Sequence, residues 1–247
     1  MINLHRVAVL VGVAVSVLSH FAVGQQPHAT QPTRFNAAAV VPFRDSFAIV
    51  FQGQAQGWQV YAMEKSDSGF RYIERFSAGA AKNWSSEVVL DSQLRAIREH
   101  SDGVLLGHSI GGDVRYVAGR ATGLLTQYTD SGPHRVRIDT VLPTNAVDGN
   151  ALMGLMLTLD WHLGASYALT IFDSDQASIS TQMLRVTAEE LITVPAGKRD
   201  VFRADLTAAE DTESAVRIWV TAAKPHRIVK IASAGDDLVT VLIAPRP

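Results

Sequence analysis

Short runs of alternating apolar and polar residues, separated by turn residues, repeat along most of the chain. Examples are Ser46–Phe51, Trp58–Glu64 and Phe70–Phe76; in the last, aromatic side chains share one face and arginines the other. This period of two is that of a β-strand with one buried face. Turn signals such as Ser66–Gly69 recur about every ten residues, which predicts a mainly β, antiparallel meander.

The same pattern closes the chain between Val194 and Ile243. A turn at Val194-Pro195-Ala196-Gly197 opens this region, because proline fixes φ and glycine accepts a positive φ. Four strands are predicted to follow: Asp200–Leu206, Ala215–Thr221, His226–Ala232 and Leu238–Ile243.

Two segments break the β pattern. Asn150–Leu159 is apolar nearly all round, which predicts a buried helix that Asp148 or Asn150 can cap. Such a helix is expected to be buried or to lie over a sheet, and the strand pattern suits a sandwich or a barrel. Ser92–His100 is compatible with either a short helix or an irregular crossing.

The N-terminus has the order of a secretory signal peptide. Arg6 precedes the apolar run Val7–Leu18, and Ala22-Val23-Gly24 forms a small-x-small cleavage site. The run is too short for a transmembrane helix, so the mature protein is predicted to have no transmembrane span. The predicted organisation is a signal peptide over 1–24, a flexible leader over 25–39 and one β domain over 40–247.

Composition narrows the possible partners. Cleavage would remove one basic residue, Arg6, and no acid, so the formal charge changes from −2 to −3. No basic block is present, which argues against nucleic acid as a partner. The chain has no cysteine and its histidines lack zinc-ligand spacing, so no disulfide, metal or cofactor is predicted.

Several motifs in a fixed order resemble a family of exported bacterial domains of unknown function. They are the Val194–Gly197 turn, the strand Arg217-Ile218-Trp219-Val220 and the strand Pro225–Ile231. The resemblance covers roughly residues 92–243 and is strongest after Gly164. The resemblance implies an antiparallel half-barrel, similar in kind to periplasmic lipoprotein-carrier folds. We expect the apolar helix to pack across the concave face of this half-barrel. The resemblance implies no activity.

One motif is enzyme-like. Gly107-His108-Ser109-Ile110-Gly111 matches the G-x-S-x-G elbow of serine hydrolases, in which a strand, a turn bearing the nucleophile and a helix follow one another. Val104–Leu106 fits the strand, whereas Asp113–Ala118 is strand-like where a helix is required. The alternatives are therefore a serine esterase acting through Ser109 and a β-hairpin with glycines at its bend.

Four residues are candidate contacts for an apolar ligand. Trp219 could form an aromatic wall, and Met153 and Met156 could give the predicted helix an adaptable face. Tyr167, in the apolar strand Ala165–Phe172, is the fourth candidate. For the tryptophan and the methionines, the alternative is ordinary packing in the core.

Together these observations predict an exported, monomeric, non-catalytic protein of the periplasm or the cell exterior. A lipid or another apolar small molecule is the predicted ligand. A serine hydrolase and a purely structural envelope protein remain the alternatives.

Overall fold

The computed structural model describes residues 33–79, 82–129, 132–208, 215–233, 235 and 237–245. The predicted signal peptide and most of the predicted leader lie outside this part of the chain. Within it, fifteen strands form one sheet. The strands are β1 Phe43–Phe51, β2 Gln54–Ser66, β3 Gly69–Ala78, β4 Lys82–Asp91, β5 Ala96–Leu105, β6 His108–Val117, β7 Arg120–Thr129, β8 Gly132–Val141, β9 Ala146–Asp148, β10 Ser166–Asp173, β11 Ser178–Val194, β12 Gly197–Ala208, β13 Val216–Thr221, β14 Ile228–Ala232 and β15 Leu238–Pro245.

The sheet consists of two meanders that join through the first and the last strand. Its order runs from β8 down to β1, and then from β15 down to β9. We call β1–β8 the first arm and β9–β15 the second arm. All neighbouring strands are antiparallel except β9 and β10, which are parallel. The sheet is not closed, since β8 and β9 lie at its two ends, and the predicted antiparallel half-barrel is confirmed.

Tight turns with glycine at the second position explain why the first arm is a meander. Gln52-Gly53, Leu106-Gly107 and Ala118-Gly119 all have positive φ at both positions, between 49° and 85°. This is the type I′ geometry, whose twist matches that of the flanking strands. The predicted turn at Pro195-Ala196 is likewise confirmed, with Gly197 at φ 102° beginning β12.

The predicted helix is present but shorter than Asn150–Leu159. A 3₁₀ turn spans Gly149–Ala151, and the α-helix, α1, covers Leu152–Met156. Asp148 caps the turn, because its side chain accepts a hydrogen bond from the backbone N–H of Asn150. Leu157–Leu159 continues as a buried irregular turn, since the chain bends there to bring Trp161 into the core.

The segment Ser92–His100 is not a helix. It forms a tight turn followed by β5, which begins at Ala96. The Asp91 carboxylate accepts hydrogen bonds from the backbone N–H groups of Gln93 and Arg95, at 2.8 and 2.9 Å. This side chain satisfies the backbone of the turn, so the chain reverses within four residues.

Two groups of buried side chains fill the inside of the sheet. The larger includes α1 and strands of both arms, and Phe35 and Ala37 of the predicted leader pack against it. The smaller joins Val114, Leu125 and Ile138 of the first arm to Phe172 of the second. The ends of the two arms are therefore in contact through their apolar side chains.

The contact of α1 with the sheet depends on a glycine. A Cβ atom at Gly154 would lie 2.5 Å from Cδ2 of the Tyr72 ring and 2.9 Å from Cε of Met63. Real Cβ atoms do not approach other heavy atoms so closely, so Gly154 allows α1 to lie directly on β2 and β3.

We expect Gly154→Ala to lower the free energy of unfolding by about 1–3 kcal/mol, because the added methyl group overpacks the contact with Tyr72. Helix propensity alone predicts the opposite sign, a gain of about 1 kcal/mol. Urea denaturation measures the difference. In a Tyr72→Leu background the cost should shrink, and a stabilising Gly154→Ala in the unaltered chain would contradict this view of the contact.

Candidate functional site

Five side chains from distant parts of the chain form a buried hydrogen-bond network, which we call the Glu99 clasp: Glu99, Tyr116, Asp148, Asn150 and Ser174. Glu99, on β5, has no exposed surface. Its Oε1 accepts hydrogen bonds from Asn150 Nδ2 at 2.7 Å and from Ser174 Oγ at 2.9 Å. The Tyr116 hydroxyl donates to Asp148 Oδ2 at 2.5 Å. The clasp thus joins β5 and β6 to the start of the helical segment and to the β10–β11 turn.

Both carboxyls of the clasp favour their protonated forms. Burial raises the pKa of Glu99 well above its usual value, and the Asp148 and Asp175 carboxylates raise it further. Burial also raises the pKa of Asp148, against the hydrogen bonds that it accepts.

The clasp has the groups for acid–base chemistry but no room for a substrate. Glu99, Asp148 and Ser174 are at most 3% exposed, and they use their hydrogen-bonding atoms on one another. A general acid or base must reach the proton that it transfers. In this arrangement the pair holds the helical segment against β5 and β6.

A second polar group lies beside the clasp on the inner face of β3–β5, and we call it the inner polar patch: Glu74, Lys82, Ser86, Ser101 and Asp175. Ser86 lies directly opposite both Glu74 and Ser101 in the sheet register, and opposed residues point to the same face. Ser101 follows Glu99 by two residues on β5, so both face inward. Asp175, in the β10–β11 turn, interacts electrostatically with Lys82.

The carboxyls of the inner polar patch also favour their neutral forms. Burial raises the pKa of Glu74 to about 7, although Gln59 Nε2 donates to Oε1 of Glu74 at 2.6 Å. The pKa of Asp175 is also raised to about 7, mainly by burial and to a lesser extent by the nearby Asp173 carboxylate. Burial lowers the pKa of Lys82.

A small cavity lies between α1 and the segment that precedes β1. Its volume is about 10 Å³, which is room for about one water molecule. The cavity also reaches His226, whose buried Nε2 has no hydrogen-bond partner among the described residues. The lining residues are Ala39, Val40, Val41, Phe43, Met63, Gly154, Leu157, Thr158, Pro225 and His226.

Three of the four predicted ligand contacts are buried in one core cluster, and the fourth lies close to it. Met153 and Met156 belong to this cluster and do not line the cavity. Trp219 donates from Nε1 to Glu190 Oε1 at 2.5 Å, and Lys230 Nζ lies 4.4 Å from the centre of its ring. Tyr167 is half-buried and donates to the backbone oxygen of Asp160.

Ser109 lies on a β-hairpin. The two-residue turn Leu106-Gly107 joins β5 to β6, and Ser109 is the second residue of β6, opposite Val104. Its side chain is exposed, and β6 continues as a strand to Val117. The ring of the neighbouring His108 stacks on Tyr128 at a centroid distance of 4.6 Å. The strand–turn–helix context of a nucleophile elbow is therefore absent from this described part of the chain.

Sequence reasoning did not find the clasp or the inner polar patch. The adjacent acids Glu189 and Glu190, which stand out more in the sequence, both lie in β11, and Glu190 accepts a hydrogen bond from Trp219. Glu99 and Asp148 are 49 positions apart in the sequence, and only the curvature of the sheet brings them together. One signal in the sequence could have indicated the site. Glu99 and Ser101 are two residues apart and alternate with the charged residues Arg98 and Asp102, so in a strand they point to the opposite, inner face.

The described residues contain no group of three histidine, aspartate or glutamate side chains arranged to hold a metal ion. They also contain no helix with the length and apolar character needed to cross a membrane.

The model of one protein family matches residues 46–242, which is most of the chain. The chain belongs to the family "Protein of unknown function (DUF3108)". This match confirms the predicted resemblance to a domain family of unknown function. The DUF3108 match includes Glu99, Asp148 and the whole inner polar patch, whereas the segment before β1 precedes it. No curated protein matches the chain.

Solved structures similar to the chain include a β-barrel-like protein of domain of unknown function DUF1849 from Brucella abortus. It is 13% identical, with a TM-score of 0.49, over 86% of this chain and 98% of that one. A candidate lipoprotein from Parabacteroides distasonis is 10% identical, with a TM-score of 0.30, over 84% and 96% of the two chains. A candidate exported protein with a YmcC-like fold from Bacteroides fragilis is 10% identical, with a TM-score of 0.28, over 83% and 95%.

We expect the free energy of unfolding to fall as the pH rises from 5 to 8, by on the order of 2–3 kcal/mol. Glu74, Glu99 and Asp175 have raised pKa values, so the folded chain binds more protons than the unfolded chain between about pH 4.5 and 7. Their stabilising contribution is complete at low pH and is lost as the pH passes through the folded pKa values. Burial lowers the pKa of His226, which offsets only part of this slope.

Urea denaturation at pH 5 and pH 8 measures this slope. Glu74→Gln should flatten it, because glutamine does not titrate. Glu87→Gln is the matched control, since Glu87 is on the outer face of β4, next to Ser86 in the chain. Equal slopes for the two variants would contradict the assignment to Glu74.

Proposed function

We propose that the chain is an exported, non-catalytic binding protein of the cell envelope that takes up an apolar ligand, such as a lipid, between α1 and residues 33–41. The observation that carries this proposal is the small cavity at that place, whose wall includes the apolar side chains of Val40, Phe43 and Met63. Export is supported by the signal-peptide pattern of residues 1–24.

The cavity must widen before it can hold a lipid chain, since small-molecule sites have volumes of about 300–1,000 Å³. Residues 33–41, which we call the N-terminal strip, are the part of the wall suited to move. The strip pairs with no strand among the described residues. Within the part of the chain that the structure describes, its hydrogen bonds to other segments are from Thr33 Oγ1 to the backbone oxygen of Ala168, at 2.7 Å, and from the backbone N–H of Asn36 to Thr158 Oγ1, at 3.2 Å.

The surface beneath the strip suits an apolar chain. Met63 is unbranched and adaptable, and Gly154 presents no side chain to the opening. Phe35 and Ala37 of the strip pack against the core, and a ligand's apolar atoms could replace them there. In this proposal Met153 and Met156 lie deeper in the core, beneath the residues that line the cavity.

Locking the strip should prevent ligand uptake. The double variant Asn36→Cys, Thr158→Cys places two cysteines at a hydrogen-bonded contact, in a chain that has no other cysteine. We expect the reduced form to bind cis-parinaric acid, measured by its fluorescence, and the oxidised form to bind it at least about tenfold more weakly, since the disulfide opposes opening of the strip.

The reduced double variant is the matched control for the oxidised one, and the unaltered chain controls for the substitutions. Equal affinity in both redox states would refute the role of the strip. Absence of binding to the unaltered chain, together with no lipid in native mass spectrometry of the purified protein, would favour a purely structural envelope protein instead.

The non-catalytic part of the proposal is supported by the surroundings of Ser109. Among the described residues, its hydroxyl has no hydrogen bond to a histidine or a carboxylate. A serine nucleophile requires such a base.

We expect a fluorophosphonate probe to label the unaltered chain no more than Ser109→Ala, because an unactivated serine does not react. Intact-mass spectrometry counts the bound probe, and a known serine hydrolase in the same tube confirms that the reagent is active. Stoichiometric labelling that is lost in Ser109→Ala would establish the hydrolase alternative.

A further inference from the structure

The inner polar patch contains hydroxyl groups that the rest of the described chain does not satisfy. Ser86 and Ser101 are 1% and 2% exposed, and their Oγ atoms have no hydrogen-bond partner there. They are cross-strand neighbours on the inner face, with Glu74 opposite Ser86 and Glu99 two residues from Ser101. A buried hydroxyl without a partner costs free energy, so this arrangement is suited to a group that supplies hydrogen bonds.

The carboxyl groups of Glu74 and Asp175 beside these hydroxyls favour a bound cation. The pKa values of Glu74 and Asp175 are about 7, so both carboxyls are partly ionised at neutral pH, and each interacts with the Lys82 ammonium. A group with N–H donors and a positive charge would satisfy both the carboxylates and the serine oxygens.

The Lys82 side chain shows that an alkylammonium group is accommodated beside the inner polar patch. Its Nζ lies 5.0 Å from the centre of the Phe76 ring, within the range of a cation–π contact. Trp84 is the cross-strand neighbour of Phe76, so a second aromatic ring borders the same face. Carboxylates, hydroxyls and aromatic rings together are the groups that bind an alkylammonium ion.

The patch can be reached from outside. Glu74, Trp84 and Asp175 are partly exposed, whereas Ser86 and Ser101 lie deeper. Lys82 is the first residue of β4, and its long side chain can turn toward solvent and leave its place to another ammonium.

We propose that the inner polar patch binds the ammonium group of a small primary amine, and that the nearby Lys82 ammonium competes with it. The amine would lie among Glu74, Asp175, Ser86 and Ser101. This site shares no residue with the cavity beneath the N-terminal strip, so the proposal does not depend on the apolar ligand.

The test uses n-butylammonium chloride as the probe, with the full chain at neutral pH. We expect n-butylammonium at about ten times its Kd to raise the Tm by roughly 3–6 °C. 1-Butanol and sodium chloride at the same concentrations should not. Lys82→Ala removes the competing ammonium, so the probe should bind this variant about tenfold or more tightly than it binds the unaltered chain, as measured by titration calorimetry.

Ser86→Ala with Ser101→Ala should weaken binding without unfolding the chain, because removal of an unpartnered hydroxyl is close to neutral for stability. Glu74→Gln should also weaken it, whereas Glu87→Gln on the outer face should not. An equal response to 1-butanol, unchanged affinity in the serine variant or binding to Lys82→Ala alone would overturn the proposal, since the patch would then serve only Lys82 and solvent.

Discussion

The buried hydrogen bonds that Glu99 accepts from Asn150 and Ser174 join the two arms of the sheet. Strands β5 and β6 belong to the first arm, whereas Asp148 ends β9 and Ser174 follows β10 of the second. No strand pairing links these parts of the chain, because β8 and β9 lie at opposite ends of the sheet. The clasp and the apolar contacts of Phe172 therefore hold the curved sheet in its shape. Loss of one partner would leave the other carboxyl buried and unpaired, which is costly.

The helical segment depends on the same network. A helix of five residues is too short to be stable by itself. Asp148 caps the preceding turn, and Asn150 bonds to Glu99, so the first residues of the segment are fixed at the sheet. Gly154 then lets the next turn lie on Tyr72. Polar contacts thus set the position of the segment, and apolar burial supplies its stability.

Local pattern was enough to predict most of the strands, because alternation and turn residues act within about ten residues. It left the start of β5 undecided, since Ser92–His100 was also compatible with a short helix. It predicted the Val194–Gly197 turn, the apolar helical segment and a cap at Asp148 or Asn150, of which the structure uses Asp148. It could not predict the clasp, since Glu99 looks like one exposed acid among charged residues until β9 is placed beside it. Local pattern also could not predict that α1 ends at Met156. The bend that follows brings Trp161 into the core, where its Nε1 donates a hydrogen bond to the Met156 backbone oxygen at 2.8 Å.

The junction of β1 with β15 has a consequence for folding. Every other pair of neighbouring strands is consecutive in the chain, and each antiparallel pair among them can form by closing a local connection at small entropic cost. The parallel pair β9 and β10 instead closes around the helical segment. Only β1 and β15 must find each other across nearly the whole domain, with Phe47 paired to Leu242. Each arm can therefore assemble from its own hairpins first, and the rate of folding should be set by the encounter of the two ends of the chain at the middle of the sheet.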